Sequence, residues 1–170
     1  MSWIIINRSS DRRGEVATLR VNREMKGNAI NLEMAHELKN VLQRIAKQDT
    51  LRAVILCGAG EKHFISGADI NEMAELNGPD AACAFITQLH LAIQAIRELP
   101  VPIIARMSGY CFGAGVEIAA SCDIRIGDNT VTIGMPEVKF GIPSVIEAAL
   151  LPSLIGWGRT REMLLTGMSY

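Results

Sequence analysis

Glu117 follows Gly113 and Gly115 at the start of a small-residue run, Val116 to Ser121, that has a helical pattern. The whole stretch from Gly109 to Asp123 reads GYCFGAGVEIAASCD, and an apolar strand-like run, Val101 to Met107, leads into it. Strand, glycine turn and helix start together point backbone N–H groups at an anion. Glycine allows positive φ or close approach of a ligand. A carboxylate one turn into that helix suggests proton transfer beside a developing oxyanion. The plain alternative is a tight turn with a surface glutamate, because glycine-rich turns are common.

Two further stretches carry polar chemistry. The loop Ser66-Gly67-Ala68-Asp69 again places a glycine where backbone can approach a ligand. Asp69 there reads first as the cap of a short helix through Glu72 and Met73, and second as an acid. Met135-Pro136-Glu137 presents another carboxylate, which taken alone is a surface residue after a proline. Other chemistries lack their residues. There is no G-x-G-x-x-G after the first strand, no G-x-x-x-x-G-K-[ST] and no H-E-x-x-H. The cysteines at 57, 83, 111 and 122 form no C-x-x-C, so no metal site is expected, and three of them sit among apolar or small residues as buried thiols do. His36 reads as a surface residue and His90 as a packed one beside an apolar stripe. Neither Ser66 nor Ser144 has a convincing histidine partner for nucleophilic catalysis.

The elements that must position these groups alternate between strand and helix. Trp3–Asn7 and Glu15–Val21 read as antiparallel strands joined by a turn at Asp11–Gly14. Asn31 caps a helix whose buried face is Leu38, Val41, Leu42 and Ile45. Ala53–Cys57 is an apolar strand of the kind buried on both faces. Pro79 opens a helix to about Glu98 with Phe85, Leu89, Ile93 and Ile96 as its core stripe, and Pro100 and Pro102 stop it. After the glycine turn, Asp123–Ile126 and Thr130–Ile133 read as strands with Gly127–Asn129 as the turn between them. A helix is expected from about Ser144 to Ile155, with Leu150, Leu151, Leu154 and Ile155 as its apolar face. Gly156-Trp157-Gly158 separates it from a further helical pattern, Arg159 to Leu165. This order is α/β.

The 170 residues suffice for one domain, 1–170, with a substantial core; 49% are apolar and 21% charged. A net charge of −1 with scattered lysines and arginines favours neither nucleic acid nor an anionic membrane as partner. The N-terminus lacks signal-peptide features and no apolar run reaches spanning length, so a reducing, cytoplasmic setting is expected.

The three polar stretches in this order, with Asn28–Asn31 and Cys122-Asp123 at fitting positions, resemble the crotonase (enoyl-CoA hydratase/isomerase) superfamily along the whole chain. The resemblance implies a spiral of ββα units around two roughly perpendicular sheets. It implies an acyl-CoA thioester as substrate, with no separate cofactor, since coenzyme A is part of that substrate. By position the backbone N–H groups of Ala68 and Ala114 would grip the thioester oxygen. Lys26, Ala29, Ser66, Gly67, Asp69, Ile70 and Gly113 would line the CoA and substrate site. Glu117 would activate water and Glu137 would protonate Cα, which makes 2-enoyl-CoA hydration the leading reaction. Isomerisation, or another enolate-forming reaction, is the alternative within the family. An inactive acyl-CoA-binding or assembly subunit is the alternative outside catalysis. Where the family usually has glycine this chain has Ala114, and Ile65 and Ser66 replace the usual small residue and alanine, which bears on acyl preference.

Members of the family continue past this length with helices that close the acyl pocket and build a trimer, often paired into a hexamer. That C-terminal region is expected to be absent here, leaving apolar surface exposed. Altered assembly or poor solubility is therefore predicted. Size-exclusion chromatography with light scattering would contradict it by returning a well-behaved monomer.

Overall fold

The computed structural model describes residues 2–170. Strands β1 (Ile4–Asp11) and β2 (Gly14–Val21) form the expected antiparallel hairpin. Helix α1 (Leu32–Ile45) follows, capped by Asn31, whose side chain accepts from the Met34 N–H at 2.9 Å. Its buried face includes Leu38, Val41, Leu42 and Ile45, as the spacing predicts. The chain then repeats one unit three times. A strand enters a large sheet, a three-residue strand enters a small one, and a helix closes the unit. The first unit is β3 (Leu51–Gly58), β4 (His63–Ile65), then α2 (Ile70–Ala74) and α3 (Gly78–Arg97). The second is β5 (Ile103–Met107), β6 (Tyr110–Phe112) and α4 (Ala114–Ser121). The third is β7 (Ile124–Gly127), β8 (Thr132–Gly134) and, after irregular chain, α5 (Leu151–Thr166).

The large sheet has the order β1-β2-β3-β5-β7 and the small one β4-β6-β8. Beyond the hairpin the strand-to-strand pairings are parallel, and one antiparallel bridge joins Gly134 of β8 to Ser169. The helices therefore serve as crossovers between parallel neighbours. The core joins the inner face of the large sheet (Leu19, Val21, Val54, Leu56, Ala105) to the buried stripes of α1 and α3. The α3 stripe is Phe85, Leu89, Ile93 and Ile96, as its period predicts.

Three expectations need correction. Strand β3 is fully buried at Val54 and Leu56, but Ala53 and Ile55 stay half-open. The turn at Gly127–Asn129 does not join paired strands. β7 pairs with β5 and β8 with β6, in different sheets. The Asp128 side chain accepts from the Thr130 N–H at 2.8 Å, and Thr130 Oγ1 accepts from the Gly109 N–H at 2.9 Å, which turns the chain from one sheet into the other. The helix does not start at Ser144. Residues 142–147 are irregular, a 3-10 turn spans Ala148–Leu150, and Pro152 sits in the first turn of α5, where its missing N–H costs nothing. Gly156 breaks that helix with φ +75°, as its glycine suggested, and Leu154 and Ile155 are 45% and 41% exposed rather than buried.

Apolar surface is open on β7 and α5. Ile124 and Ile126 of β7, Trp157 and Leu165 of α5 and Tyr170 are all exposed. Among the described residues no helix is long and apolar enough to cross a membrane.

The close contact between the start of α4 and the end of β4 makes a specific demand. A Cβ at Gly115 would lie 2.1 Å from the Ile65 carbonyl oxygen, a backbone atom that cannot swing away. Gly115→Ala is expected to lower stability by about 1–3 kcal/mol, read as a shift of the chemical-denaturation midpoint, whereas Gly158→Ala, with open space around it, is expected to leave that midpoint in place.

Candidate active site

Two backbone corners and two carboxyls meet in a cleft of about 450 Å³. The first corner is residues 66–69, leaving β4. It is held from below by the turn at 27–30: the Ser66 N–H donates to Gly27 O at 3.0 Å, the Ile30 N–H to Gly67 O at 2.9 Å, and the Asp69 N–H to Ile30 O at 2.8 Å. In such a parallel bridge the residue between the bonded groups turns its own N–H the other way. That residue is Ala68, and its N–H has no acceptor among the described residues. The second corner is the start of α4. Gly113, at φ +52°, takes a conformation that side chains resist, and the first helical N–H, on Ala114, is likewise without an acceptor among the described residues. Its approach to the first corner follows from the parallel pairing of β4 with β6 (Ile65 opposite Cys111) and from the missing side chain at Gly115.

Glu117 lies in the first turn of α4 and is 1% exposed. Its Oε1 accepts from the Glu147 N–H at 2.8 Å. Burial pushes its pKa up to about 7. The N–H groups of Glu147 and Ala148 pull against that shift, and the charges of Glu137 and Glu147 add to it. Glu137 stands on the 3-10 turn Pro136–Phe140 that follows β8. A Cβ at Gly113 would come within 2.5 Å of Glu137 Oε1, so a side chain there would displace that carboxyl, while the positive φ is what demands glycine. Glu137 Oε2 is buried and has no partner among the described residues. Burial raises its pKa too, opposed by its own backbone N–H and the Ser144 hydroxyl.

Every residue the sequence singled out for this site lines the one cleft: Lys26, Ala29, Ser66, Gly67, Ala68, Asp69, Ile70, Gly113, Ala114, Glu117 and Glu137. Lys26 is exposed at the mouth, next to Met25, which is 95% exposed. The remaining wall is largely apolar, from Met73, Ile86, Phe140, Ile142, Val145 and Ile146. Asp69 caps α2 through the N–H groups of Asn71 (3.0 Å) and Glu72 (3.3 Å), and Arg23 Nη1 lies 2.6 Å from its Oδ2. Burial alone would raise its pKa, but Arg23 and the two N–H groups outweigh it and hold the carboxyl below its ordinary value. Its side chain thus braces the corner, as the capping reading had it.

Sequence reasoning missed three residues that set this geometry. Asn28 is fully buried at φ +57°; its amide donates to Ala59 O and His63 O, each at 2.9 Å, and its oxygen accepts from the Arg23 N–H. Asparagine's tolerance of left-handed backbone was the available signal. Arg23 also donates to Ala29 O at 3.0 Å, tying both loops together. Glu147 had no sequence signal, because its contribution to the site comes from its backbone. His90 is half-exposed rather than packed, with Nδ1 2.7 Å from Glu147 Oε1.

Residues 11–170 match the enoyl-CoA hydratase/isomerase family. The chain belongs to that family, the crotonase superfamily, and has its fold. It is 36% identical over 160 residues to a short-chain-enoyl-CoA hydratase of Clostridium acetobutylicum, covering 94% of this chain and 61% of that protein. An enoyl-CoA hydratase/carnithine racemase structure from Magnetospirillum magneticum superposes at a TM-score of 0.92 with 33% identity, over 100% of this chain and 63% of that one. An enoyl-CoA hydratase structure from Thermoplasma volcanium does so at 0.90 with 35% identity, over 99% and 65%. The chain thus spans less than two thirds of these relatives' lengths.

The raised Glu117 pKa makes a stability prediction. Below the ordinary value of 4.5 the carboxyl is protonated whether the chain is folded or not. As pH rises through about 7 the folded state must hold a buried carboxylate, and the stability contributed by the protonated form is lost. Glu117→Gln is expected to be more stable than the parent at pH 8, by roughly 3 kcal/mol at most, and equal to it at pH 4. Urea midpoints of the two proteins across this range measure the difference.

Proposed function

We propose that this chain carries the catalytic half of an enzyme that adds water to 2-enoyl-CoA thioesters. The observation that carries the reading is the pair of carboxyls, Glu117 buried and Glu137 partly so, in one cleft with two backbone N–H groups that have no acceptor among the described residues. The thioester oxygen binds between the Ala68 and Ala114 N–H groups. Negative charge grows on that oxygen as the enolate forms, and preorganised donors, one of them at a helix start, stabilise it most when it is largest. Glu117 takes a proton from water as its oxygen bonds to Cβ. Glu137 gives a proton to Cα. One water is consumed, and the carboxyl pair ends with its single proton on the other member. Lys26, Ala29, Ser66, Gly67, Asp69, Ile70 and Gly113 frame the CoA portion and the thioester, and the apolar wall receives the acyl chain.

The chemistry needs one proton on the pair, since a base and an acid must be present together. Burial by the protein favours that proton on Glu117, which has the more deeply desolvated carboxyl. The assigned roles need it on Glu137, so entry of substrate and water must redistribute it. The relative named a short-chain-enoyl-CoA hydratase in Clostridium acetobutylicum supports hydration, and the family relation admits isomerisation equally. The exposed Ile124, Ile126 and Trp157 support association into a homotrimer or hexamer. Four free cysteines, three of them buried, suit the reducing cytoplasm.

Loss of the enoyl thioester absorbance of crotonyl-CoA tests the reading. Turnover is expected to fall at least about 100-fold in Glu117→Gln and in Glu137→Gln, and parent activity to fall as pH rises through about 7 and the last shared proton leaves. A parent that turns over crotonyl-CoA at an unchanged rate after either substitution sinks the two-carboxyl mechanism.

A further inference from the structure

Glu147 is 8% exposed and carries a charge, yet its side chain does not line the cleft. A buried carboxylate needs partners. Both of those available come from α3. His90 Nδ1 lies 2.7 Å from Oε1, and Arg97 Nη1 lies 3.8 Å from Oε2. They stand seven residues apart, two turns on one helix face, so they grip the two oxygens of one carboxylate. α3 is itself anchored in the core by Phe85, Leu89, Ile93 and Ile96. Residues 142–147 have no regular structure of their own, and they deliver the N–H of Glu147, with Ala148 next to it, to the Glu117 carboxylate.

We propose that Glu147, clamped by His90 and Arg97, is a positioning residue for Glu117: the clamp fixes the backbone donors that hold the Glu117 carboxylate in place. None of the three side chains lines the cleft, and the clamp acts through the main chain of the segment. The charged groups facing Glu117 are Glu137 from the turn after β8 and Glu147 from the irregular segment, with His90 and Arg97 of α3 behind the latter. Releasing the clamp has two effects of one sign. The donors withdraw from Glu117, and the Glu147 charge is less compensated; each disfavours the Glu117 carboxylate. This rests on the proposed function only where turnover is measured, because the titration of Glu117 needs no substrate.

The test is a pH titration of the protein with 13C-carboxyl glutamate, the Glu117 signal being assigned by its loss in Glu117→Gln. His90→Ala is expected to raise the Glu117 midpoint by roughly half a unit or more. His90→Gln, whose amide can still donate to Glu147, is expected to raise the midpoint less than His90→Ala does. In the crotonyl-CoA assay His90→Ala is expected to lower kcat several-fold with KM within about twofold. An unmoved midpoint in a folded His90→Ala overturns the proposal, and so does an equal shift in both His90 variants. Should His90→Ala fail to fold, Arg97→Ala carries the same expectation with a smaller upward shift, and no shift there overturns it. A parent that titrates as described but leaves crotonyl-CoA untouched removes the proposed reaction and leaves the clamp standing.

Discussion

The site depends on one backbone-to-backbone approach. The first turn of α4 lies against the end of β4, so closely that a side-chain carbon at Gly115 would stand 2.1 Å from Ile65 O. Parallel pairing of β4, β6 and β8 sets the direction of that approach, and the bridge from Ile30 to Ala68 sets the orientation of the loop that leaves β4. The consequence is two N–H groups without an acceptor among the described residues, Ala68 and Ala114, from segments 46 residues apart in sequence. Neither is a side chain. Donors of this kind cost no rotamer entropy when a ligand arrives, so their effect is available in full as charge develops.

Around these donors the protein accepts a burden. It buries Glu117 almost completely and Glu137 in part, and leaves Glu137 Oε2 without a partner among the described residues. Desolvation holds both carboxyls above their ordinary range. Such a pair can share one proton near neutral pH, the condition under which an acid and a base exist side by side. The polar bonds of the site go instead to its supports. Arg23 and Asp69 knit the turn at 27–30 to the loop at 66–69, Asn28 ties that turn to Ala59 and His63, and the Glu147 clamp holds the segment opposite Glu117.

The periodic elements were legible along the chain. The stripes of α1 and α3 and the hairpin β1–β2 are where hydrophobic spacing and turn residues place them, because those signals span two or more repeats of their period. The three-residue strands β4 and β6 were not legible, since three residues complete barely one alternation, and they read as loops. Nor was the assignment of β7 and β8 to different sheets, because each strand's partner lies more than twelve residues away and a turn sequence does not reveal which neighbour a strand will find. The irregular path of residues 142–147 overrode a helical apolar pattern.

By itself the sequence determined the residue types of the site, the glycines that admit its backbone geometry and, through the resemblance, the family. These are local facts: a glycine at 113 or 115 removes a side chain wherever the chain goes. The tertiary structure alone decided that Ala68 and Ala114 share a cleft with Glu117 and Glu137, that Glu117 is the more deeply desolvated carboxyl, and that His90, Arg97 and Glu147 stand behind it. Burial and ion pairing are sums over neighbours distant in sequence, and no spacing along the chain records them.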